Sequence, residues 1–271
     1  MAKVQRIAVI GAGNIGEALI AGLIRSGVEG EAVTATNRSS ERSRELEERY
    51  GVRTTSDNAQ AVRDADVAFL CVKPAQVLDV IGELGDAVAG GETVLVSMAA
   101  GVSIAAMQGA VSVAGTPVVR VMPNTPMLQG KGVLAVAYSR FVDGAQREAV
   151  ADLLSAVGEV VDITEDQMDA ATAVSGSGPA YFFLVAEALT DAGVSLGLPR
   201  DLAERLAVST AEGAGAMLAH DGRTPAELRA GVSSPAGTTV RAIRELEESG
   251  LRGAFYRATE ACARRSAELG E

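Results

Sequence analysis

Aromatic residues are scarce in this chain. Its 271 residues include four Tyr, five Phe and no Trp, against 30 Gly, although hydrophobic residues make up 48% of the total. We therefore expect a core of Ala, Val, Leu and Ile, which permit close packing, and glycine loops where backbone approaches a ligand. This hydrophobic content excludes a disordered or collagen-like chain, and the length allows one large domain or two smaller ones.

The chain also has fewer basic than acidic residues and only one histidine. The 24 Lys and Arg against 35 Asp and Glu give a formal net charge of −11, which argues against nucleic acid because phosphates are neutralised by clustered cations. The single histidine, His220, is too few for a His-based metal site or a Ser-His-Asp triad, so we expect no metal. We place His220 at the end of a helix, where histidine is common at the surface.

The chain also lacks paired cysteines and long hydrophobic runs. Cys71 and Cys262 form no CxxC and no disulfide framework, and we interpret Cys71 as a small core residue. The apolar run near the N-terminus meets glycine too soon for a signal peptide, and no later run approaches the roughly 20 residues that span a bilayer. We expect a cytoplasmic protein with no membrane contact.

The first half of the sequence alternates β-branched runs with amphipathic segments. Strands are predicted at Arg6–Ile10, Ala32–Thr36, Asp66–Val72, Thr93–Met98, Val118–Met122, Gly132–Tyr138 and Glu159–Ile163. Helices are predicted at Asn14–Ser26, Ser40–Tyr50, Asn58–Arg63, Ala75–Leu84 and Ala145–Ala156. Such alternation predicts a parallel sheet covered on both faces. We assign residues 1–163 to a doubly wound, Rossmann-type α/β domain.

Residues 164–271 predict an all-helical domain. Helices are expected at Ser177–Ala192, Pro199–Leu218, from Pro225 after a capping box at Thr224, at Thr239–Glu248 and at Ala254–Leu269. The first of these is apolar nearly all round and needs more cover than a few neighbouring helices supply. We therefore predict a homodimer with interleaved helices.

A glycine-rich motif follows the first predicted strand. Gly11–Gly16 reads GxGxxG and opens a helix. In that context Gly11 permits the tight turn, Gly13 lets backbone approach a pyrophosphate, and Gly16 permits close packing of helix on strand. The helix N-terminus adds unpaired N–H groups and a positive dipole, so the motif predicts a dinucleotide site.

The end of the second predicted strand indicates which dinucleotide binds. NAD sites usually place Asp or Glu there for the ribose 2′-OH, whereas this chain has Asn37, Arg38, Ser39 and Ser40, with Arg42 one turn further. An arginine fork with hydroxyl donors binds a 2′-phosphate, which favours NADPH over NADH. The alternative is a solvated helix start in which Ser39 or Ser40 is only a cap.

Three later strands end in short loops at the same carboxyl edge of the sheet. Ligands bind at that edge in open α/β sheets. Lys73 there is either a ribose or phosphate contact or a solvated side chain, and the loops around Ala99 and Met122 are suited to flank a nicotinamide ring. The predicted cofactor-binding residues are Gly11, Ala12, Gly13, Asn14, Ile15, Gly16, Asn37, Arg38, Ser39, Asn58, Val72, Lys73, Pro74, Ala99, Met122, Pro123 and Asn124.

Two segments of the helical half are rich in glycine and hydroxyl groups. They are Ser175–Tyr181 and Val232–Thr239. Each places N–H groups and hydroxyls at a helix start, an arrangement that binds a carboxylate. The alternative is that both are only capping loops.

Taken in order, these segments resemble the pyrroline-5-carboxylate reductase family along essentially the whole chain. The resemblance is carried by Gly11–Gly16, Val72–Pro74, Arg120–Pro126, Gly176–Tyr181 and Val232–Thr239. The family signature at the last segment reads much like V-x-S-P-G-G-T-T, and this chain departs from it at Ala236. The resemblance implies an all-α dimerisation domain like the C-terminal domain of 6-phosphogluconate dehydrogenase. It also implies a homodimer, in some members built into a ring, with each active site between one subunit's cofactor domain and its neighbour's helical loop.

The resemblance also implies a reaction and its residues. NADPH would deliver hydride to C5 of the cyclic imine 1-pyrroline-5-carboxylate, giving L-proline, without a metal or covalent nucleophile. Thr239 is implied near the imine nitrogen as the catalytic residue; because a threonine is a poor acid, we expect it to orient the imine or relay a proton from water. The implied substrate-binding residues are Ser177, Gly178, Ser233, Ser234, Gly237, Thr238 and Thr239.

Two other classes of function fit parts of the sequence. One is another NADP-dependent reductase of this architecture, such as a β-hydroxyacid or 6-phosphogluconate dehydrogenase or an imine reductase acting on other rings. Those hydroxyacid enzymes use a lysine on the first interdomain helix, and residues 166–181 contain none. The other is a catalytically silent NADP(H)-binding regulator, which need not keep two intact hydroxyl-rich loops.

Overall fold

The computed structural model describes residues 6–88 and 92–270. Within these residues one sheet has eight strands: β1 (Ile7–Ile10), β2 (Val33–Thr36), β3 (Arg53–Thr55), β4 (Val67–Leu70), β5 (Val94–Ser97), β6 (Val118–Met122), β7 (Gly132–Tyr138) and β8 (Gly158–Asp162). Their order across the sheet is β3-β2-β1-β4-β5-β6-β7-β8. Neighbouring strands are parallel except β6 and β7.

Helices cover both faces of this sheet. They are α1 (Asn14–Arg25), α2 (Ser40–Tyr50), α3 (Asn58–Val62), α4 (Val77–Leu84), α5 (Ile104–Ala110) and α6 (Gly144–Ser155). Alternate residues of β1 belong to two different hydrophobic clusters, with Val9 in one and Ile10 in the other. Because successive side chains of a strand point to opposite faces, the two clusters are the two layers between sheet and helices. The doubly wound architecture is therefore confirmed.

Three details of this sheet differ from the sequence prediction. β3 and α5 were not predicted, and the predicted parallel sheet contains one antiparallel pair, β6 with β7. The connection from Met122 to Gly132 holds only a short 3-10 turn, Thr125–Gln129. A parallel crossover needs about a dozen residues or more, so this connection returns the chain antiparallel.

The rest of the chain is helical. Its elements are α7 (Met168–Ala171), a π-helical turn (Thr172–Gly176), α8 (Gly178–Ser195), α9 (Arg200–His220), α10 (Pro225–Gly231), α11 (Thr238–Glu248) and α12 (Leu251–Glu268). The predicted capping box at Thr224 is present, with Glu227 as its partner. His220 lies exposed in the last turn of α9, as predicted. No helix of the described residues is both long enough and apolar enough to cross a membrane.

The surface of α8 is strongly apolar. Phe182, Phe183 and Leu184 expose 68%, 65% and 64% of their surface in the single chain. These three residues are consecutive and therefore point in different directions around the helix axis. A helix exposed in this way needs a covering surface from outside its own chain.

Contacts between residues divide the chain into two compact units. One runs through Gly176 and also includes the last segment, from Cys262 onward; the other is Ser177–Ala261. The predicted boundary between residues 163 and 164 stays a prediction, since by contacts alone the first unit continues through α7 and the π-helical turn.

Candidate functional site

A cleft of about 700 Å³ opens in the first unit, beside the carboxyl ends of β1, β2 and β4. The strand order reverses at β1, because β2 lies on one side of it and β4 on the other. Open α/β sheets bind ligands at such switch points. The lining residues are Gly11, Ala12, Gly13, Thr36, Asn37, Arg38, Ser39, Arg42, Ser56, Asn58, Cys71, Val72, Lys73, Gln76, Asp79, Val80 and Glu83.

At two positions of the Gly11–Gly16 motif, neighbouring atoms leave no room for a side chain. Gly11 has φ +85°, and a Cβ there would lie 2.7 Å from Cγ1 of Val72. A Cβ on Gly16 would lie 2.8 Å from the carbonyl oxygen of Gly11. Thr36 holds the same loop from β2, since its Oγ1 accepts a hydrogen bond from the Gly11 N–H at 3.1 Å and its carbonyl accepts one from Ala12 at 2.9 Å.

Gly13 has a different environment. It is exposed, and a Cβ built on it would meet no atom within 4 Å. It is also the N-cap of α1, where no side chain caps the helix. Uncapped N–H groups beside open space fit a bound pyrophosphate, because they supply hydrogen bonds and a positive dipole to an anion.

Two arginines follow β2, and they differ in whether they form ion pairs. Ser39 caps α2 by accepting a hydrogen bond from the Arg42 N–H at 3.3 Å, so the alternative prediction of a capping serine is observed. Arg42 is paired with Glu17 and Glu45. Arg38 is exposed at the cleft and forms no ion pair with any residue that the structure describes. One guanidinium is therefore available to an anion.

Other predicted cofactor residues line the same cleft. Asn37 donates from Nδ2 to the Ala12 carbonyl at 3.4 Å, which joins the glycine loop to the end of β2. Asn58 begins α3, whereas Val72 and exposed Lys73 follow β4. Burial raises the pKa of the Cys71 thiol to about 12, so this thiol stays protonated at neutral pH and is a poor nucleophile.

The cleft does not include every predicted cofactor residue. Those outside its lining are Asn14, Ile15, Gly16, Pro74, Ala99, Met122, Pro123 and Asn124. Asn124 is buried, donating from Nδ2 to the Ser175 carbonyl at 3.0 Å and accepting at Oδ1 from the Val133 N–H at 2.8 Å. A Cβ on Gly176 would lie 2.6 Å from Cε of Met122. These two residues thus hold the π-helical turn against the end of β6.

Sequence reasoning missed several lining residues. Thr36, Ser56, Gln76, Asp79, Val80 and Glu83 line the cleft without having been predicted to bind there. Thr36 could have been predicted, because it is the last residue of β2, whose carboxyl end faces the glycine loop. Gln76, the N-cap of α4, and the α4 residues Asp79, Val80 and Glu83 had no such signal, since only the tertiary fold brings this helix to the cleft.

The second unit contains all seven predicted substrate residues, in two segments that lead into helices. Ser177 is the N-cap of α8, Gly178 is buried in its first turn, and Pro179 follows. The other segment precedes α11, where Gly237 is the N-cap and no side chain caps the helix. Thr239 is half-buried in the first turn, and its hydroxyl forms no hydrogen bond with the residues that the structure describes.

A tight turn shapes the segment before α11. The Gly237 N–H donates to the Ser234 carbonyl at 3.0 Å, and Ser233 donates from Oγ to the Arg229 carbonyl at 2.6 Å. A Cβ on Gly237 would lie 2.5 Å from Oγ of Ser234. Ala236 has φ +60°, the left-handed conformation that favours glycine. The turn leaves the first N–H groups of α11 available to a carboxylate.

No group of three His, Cys, Asp or Glu in the described parts of the chain is arranged to hold a metal ion.

Comparison with protein families gives two matches. Residues 165–269 match the family described as pyrroline-5-carboxylate reductase dimerisation. Residues 6–101 match the family described as NADP oxidoreductase, coenzyme F420-dependent.

Individual proteins resemble the chain along almost its full length. It is 59% identical to a pyrroline-5-carboxylate reductase of Corynebacterium melassecola, with 98% of each chain covered. It is 45% identical to that of Mycobacterium tuberculosis, covering 97% of this chain and 96% of the relative. A pyrroline-5-carboxylate reductase structure from Coxiella burnetii matches with a TM-score of 0.95 at 36% identity, covering 99% of this chain and 100% of the other. A pyrroline carboxylate reductase structure from Plasmodium falciparum with NADP bound matches with a TM-score of 0.86 at 28% identity, covering both chains fully at 100%.

Proposed function

Because the chain belongs to the pyrroline-5-carboxylate reductase family, we propose that it reduces 1-pyrroline-5-carboxylate to L-proline with NADPH. The observation that carries the substrate assignment is the uncapped start of α11, where N–H groups and the Thr239 hydroxyl are available to a small carboxylate. The relatives' shared name supports the same reaction.

The cleft of the first unit fits the cofactor. Gly11–Gly16 and the N-terminus of α1 would bind the pyrophosphate at the open side of Gly13, whereas Arg38 and Ser39 would bind the 2′-phosphate. When bound, NADPH supplies the hydride that reduces the C=N bond. The cleft wall at the β2 end offers a cation in place of the carboxylate usual in NAD sites, which supports preference for NADPH over NADH.

The substrate needs few groups from the protein. Its carboxylate would be held by the first N–H groups of α11 and by the hydroxyls of Ser234 and Thr238. The imine carbon C5 is already electrophilic, and more so once the nitrogen is protonated, so positioning and desolvation supply most of the catalysis. Thr239 would orient the imine nitrogen or relay a proton to it from water, because a threonine hydroxyl is too weak an acid to protonate it directly. Ser177, Gly178, Ser233 and Gly237 complete the proposed substrate site.

The proposal includes a homodimer formed by the helical segment. The match of residues 165–269 to a dimerisation family supports this assembly, and the exposed apolar side chains of α8 offer a surface for it. The proposed domains are residues 1–163 for the cofactor and 164–271 for the dimer and substrate, and the proposed location is the cytoplasm.

The test is a panel of substrates and cofactors. The rate of NADPH oxidation would be measured with pyrroline-5-carboxylate, with a keto acid and with no substrate, and the first pair repeated with NADH. We expect turnover with the imine alone and a lower KM for NADPH than for NADH. Faster turnover with the keto acid would instead indicate a hydroxyacid dehydrogenase, and NADPH binding without any turnover would indicate a regulator.

A further inference from the structure

A cluster of charged side chains lies next to the cofactor cleft. Glu17, in the first turn of α1, accepts hydrogen bonds from Arg42, from Arg49 at 2.6 Å and from the Tyr50 hydroxyl at 2.9 Å. Its side chain is only 20% exposed. We call these four residues the Glu17 cluster. Both oxygens of the carboxylate are engaged, so the cluster fixes the position of Glu17.

Arg42 is the member of the cluster that lines the cleft. One of its Nη groups donates to Oε2 of Glu17, and the other donates to Oε2 of Glu45 at 2.8 Å. A guanidinium recognises phosphate best when two adjacent N–H groups point at it together. Each terminal nitrogen of Arg42 instead donates to a carboxylate, so the two nitrogens cannot both turn to a phosphate without losing these bonds.

The charges of the cluster are stable at neutral pH. Partial burial opposes ionisation of Glu17, but hydrogen bonds from Arg42 and Tyr50 outweigh it and lower the pKa of the carboxyl. Hydrogen bonds to Glu45 and Glu17 raise the pKa of Arg42. Glu17 therefore stays negative next to Arg42, which lines the same cleft as Arg38, and a negative charge repels a 2′-phosphate.

We propose that Glu17 and Glu45 are specificity-determining residues that hold Arg42 away from the 2′-phosphate of the cofactor. Arg38 then carries the recognition of that phosphate, and the preference for NADPH over NADH is smaller than two arginines would give. This inference rests on the proposed function for the identity of the cofactor. Glu17 in α1 and Glu45 in α2 would thus set the affinity for the 2′-phosphate without touching it.

The test uses the neutral variants Glu17→Gln and Glu45→Gln and the double variant. Calorimetric titration with 2′-phospho-ADP-ribose and with ADP-ribose measures binding without any turnover. Release of Arg42 should raise affinity for the phosphorylated ligand about tenfold in the double variant, because charge-assisted bonds to phosphate are strong. Affinity for ADP-ribose should change by less than about twofold, since that ligand lacks the 2′-phosphate.

Two control variants separate this effect from a general change in charge. Glu48→Gln removes the same charge from an exposed position of α2 that does not line the cleft, and it should leave both affinities unchanged. Adding Arg42→Ala to the double variant should abolish the gain. Arg38→Ala in the unaltered background should lower affinity for the phosphorylated ligand and spare ADP-ribose.

The outcomes are distinct. An unchanged or weaker affinity for 2′-phospho-ADP-ribose in the double variant overturns the proposal, as does an equal gain with Glu48→Gln or an equal gain for ADP-ribose. If Glu17→Gln fails to fold, Glu45→Gln alone, at a more exposed position, must still give a gain of about threefold. Absence of pyrroline-5-carboxylate reduction with normal nucleotide binding would contradict the proposed function alone.

Discussion

The three glycines of the Gly11–Gly16 motif are required for different reasons. Gly11 and Gly16 are required by the fold, because a Cβ at either position would overlap Val72 or the Gly11 carbonyl. Gly13 has open space where its Cβ would be. If a pyrophosphate occupies that space, Gly13 is required by the ligand alone, and the two requirements can be measured separately.

Gly13→Ala should therefore weaken cofactor binding without weakening the fold. Its backbone, with φ −78°, suits any residue, so the free energy of unfolding should change by less than about 0.5 kcal/mol. NADPH affinity should fall at least about tenfold, because the added methyl occupies the place of the pyrophosphate. Urea unfolding and a binding titration check the two expectations.

Gly11→Ala is the matched comparison. It should lower the free energy of unfolding by about 2 kcal/mol, from the left-handed backbone and the overlap with Val72. Equal loss of stability in both variants would contradict the distinction, as would undiminished NADPH affinity in Gly13→Ala.

Thr239→Ala should lower turnover and leave NADPH binding intact. The hydroxyl has no partner among the described residues, so its loss should change the free energy of unfolding by less than about 0.5 kcal/mol. We expect kcat with pyrroline-5-carboxylate to fall about tenfold or more, the lower end of what a positioned proton-transfer group contributes. Thr259→Ala is the control, because that hydroxyl bonds to the Phe255 carbonyl within its own helix. An unchanged kcat in Thr239→Ala would remove its assigned role.

Among the elements, the ones visible in the sequence are those with strong local signals. β1 and β4 are apolar at every position, and the left-handed glycine at Gly51 ends α2 as predicted. β3 was missed because Arg53–Thr55 has only three residues and no aliphatic one. α5 was missed although Ser103 caps it by accepting a hydrogen bond from the Ala106 N–H. The antiparallel direction of β7 could also have been predicted, because the connection between β6 and β7 is too short for a parallel crossover.

The C-terminal end of α12 supports a loop of the sheet unit. Buried Ser266 donates from Oγ to Oδ1 of Asp169 at 2.7 Å. A Cβ on Gly101, which has φ +78°, would lie 3.0 Å from Cβ of Leu269. Gly101 lies in the same loop as Ala99, a predicted cofactor residue. No local sequence signal indicated the contact of Gly101 with Leu269, since these residues are more than 160 positions apart.

Ser266→Ala should destabilise the protein by about 1 kcal/mol, the usual net contribution of one hydrogen bond. Differential scanning calorimetry would register this as a lower Tm. Ser155→Ala is a suitable control, because Ser155 is exposed and donates only to the Asp152 carbonyl of its own helix. Equal effects of the two substitutions would show that the Ser266 contact contributes nothing particular.

At the scale of the whole molecule, the cofactor half of the site was more predictable than the rest. Gly11–Gly16 and Arg38 lie within one strand-helix-strand unit, where the spacing in the sequence sets the geometry. The departure at Ala236 was visible in the sequence, but its left-handed backbone was not. The ion pair of Arg42 with Glu17 was also hidden, because it depends on how α1 packs beside α2.

Assembly can be tested through the exposed surface of α8. Phe183→Asp places a charge on a side chain that is 65% exposed in the single chain, and burying an unpaired charge in an interface is costly. Light scattering should show a dimer for the unaltered protein and a monomer for the variant. Leu128→Asp, at a side chain 52% exposed outside the helical segment, should remain dimeric. A dimeric Phe183→Asp protein would exclude α8 from the interface.

The most direct test of the proposed reaction follows the hydride itself. The protein would be incubated with pyrroline-5-carboxylate and NADPH carrying deuterium at both C4 positions, and the product analysed by mass spectrometry and NMR. We expect L-proline with one deuterium, located at C5. Oxidation of the cofactor without deuterated proline, or no oxidation in the presence of this imine, would contradict the account.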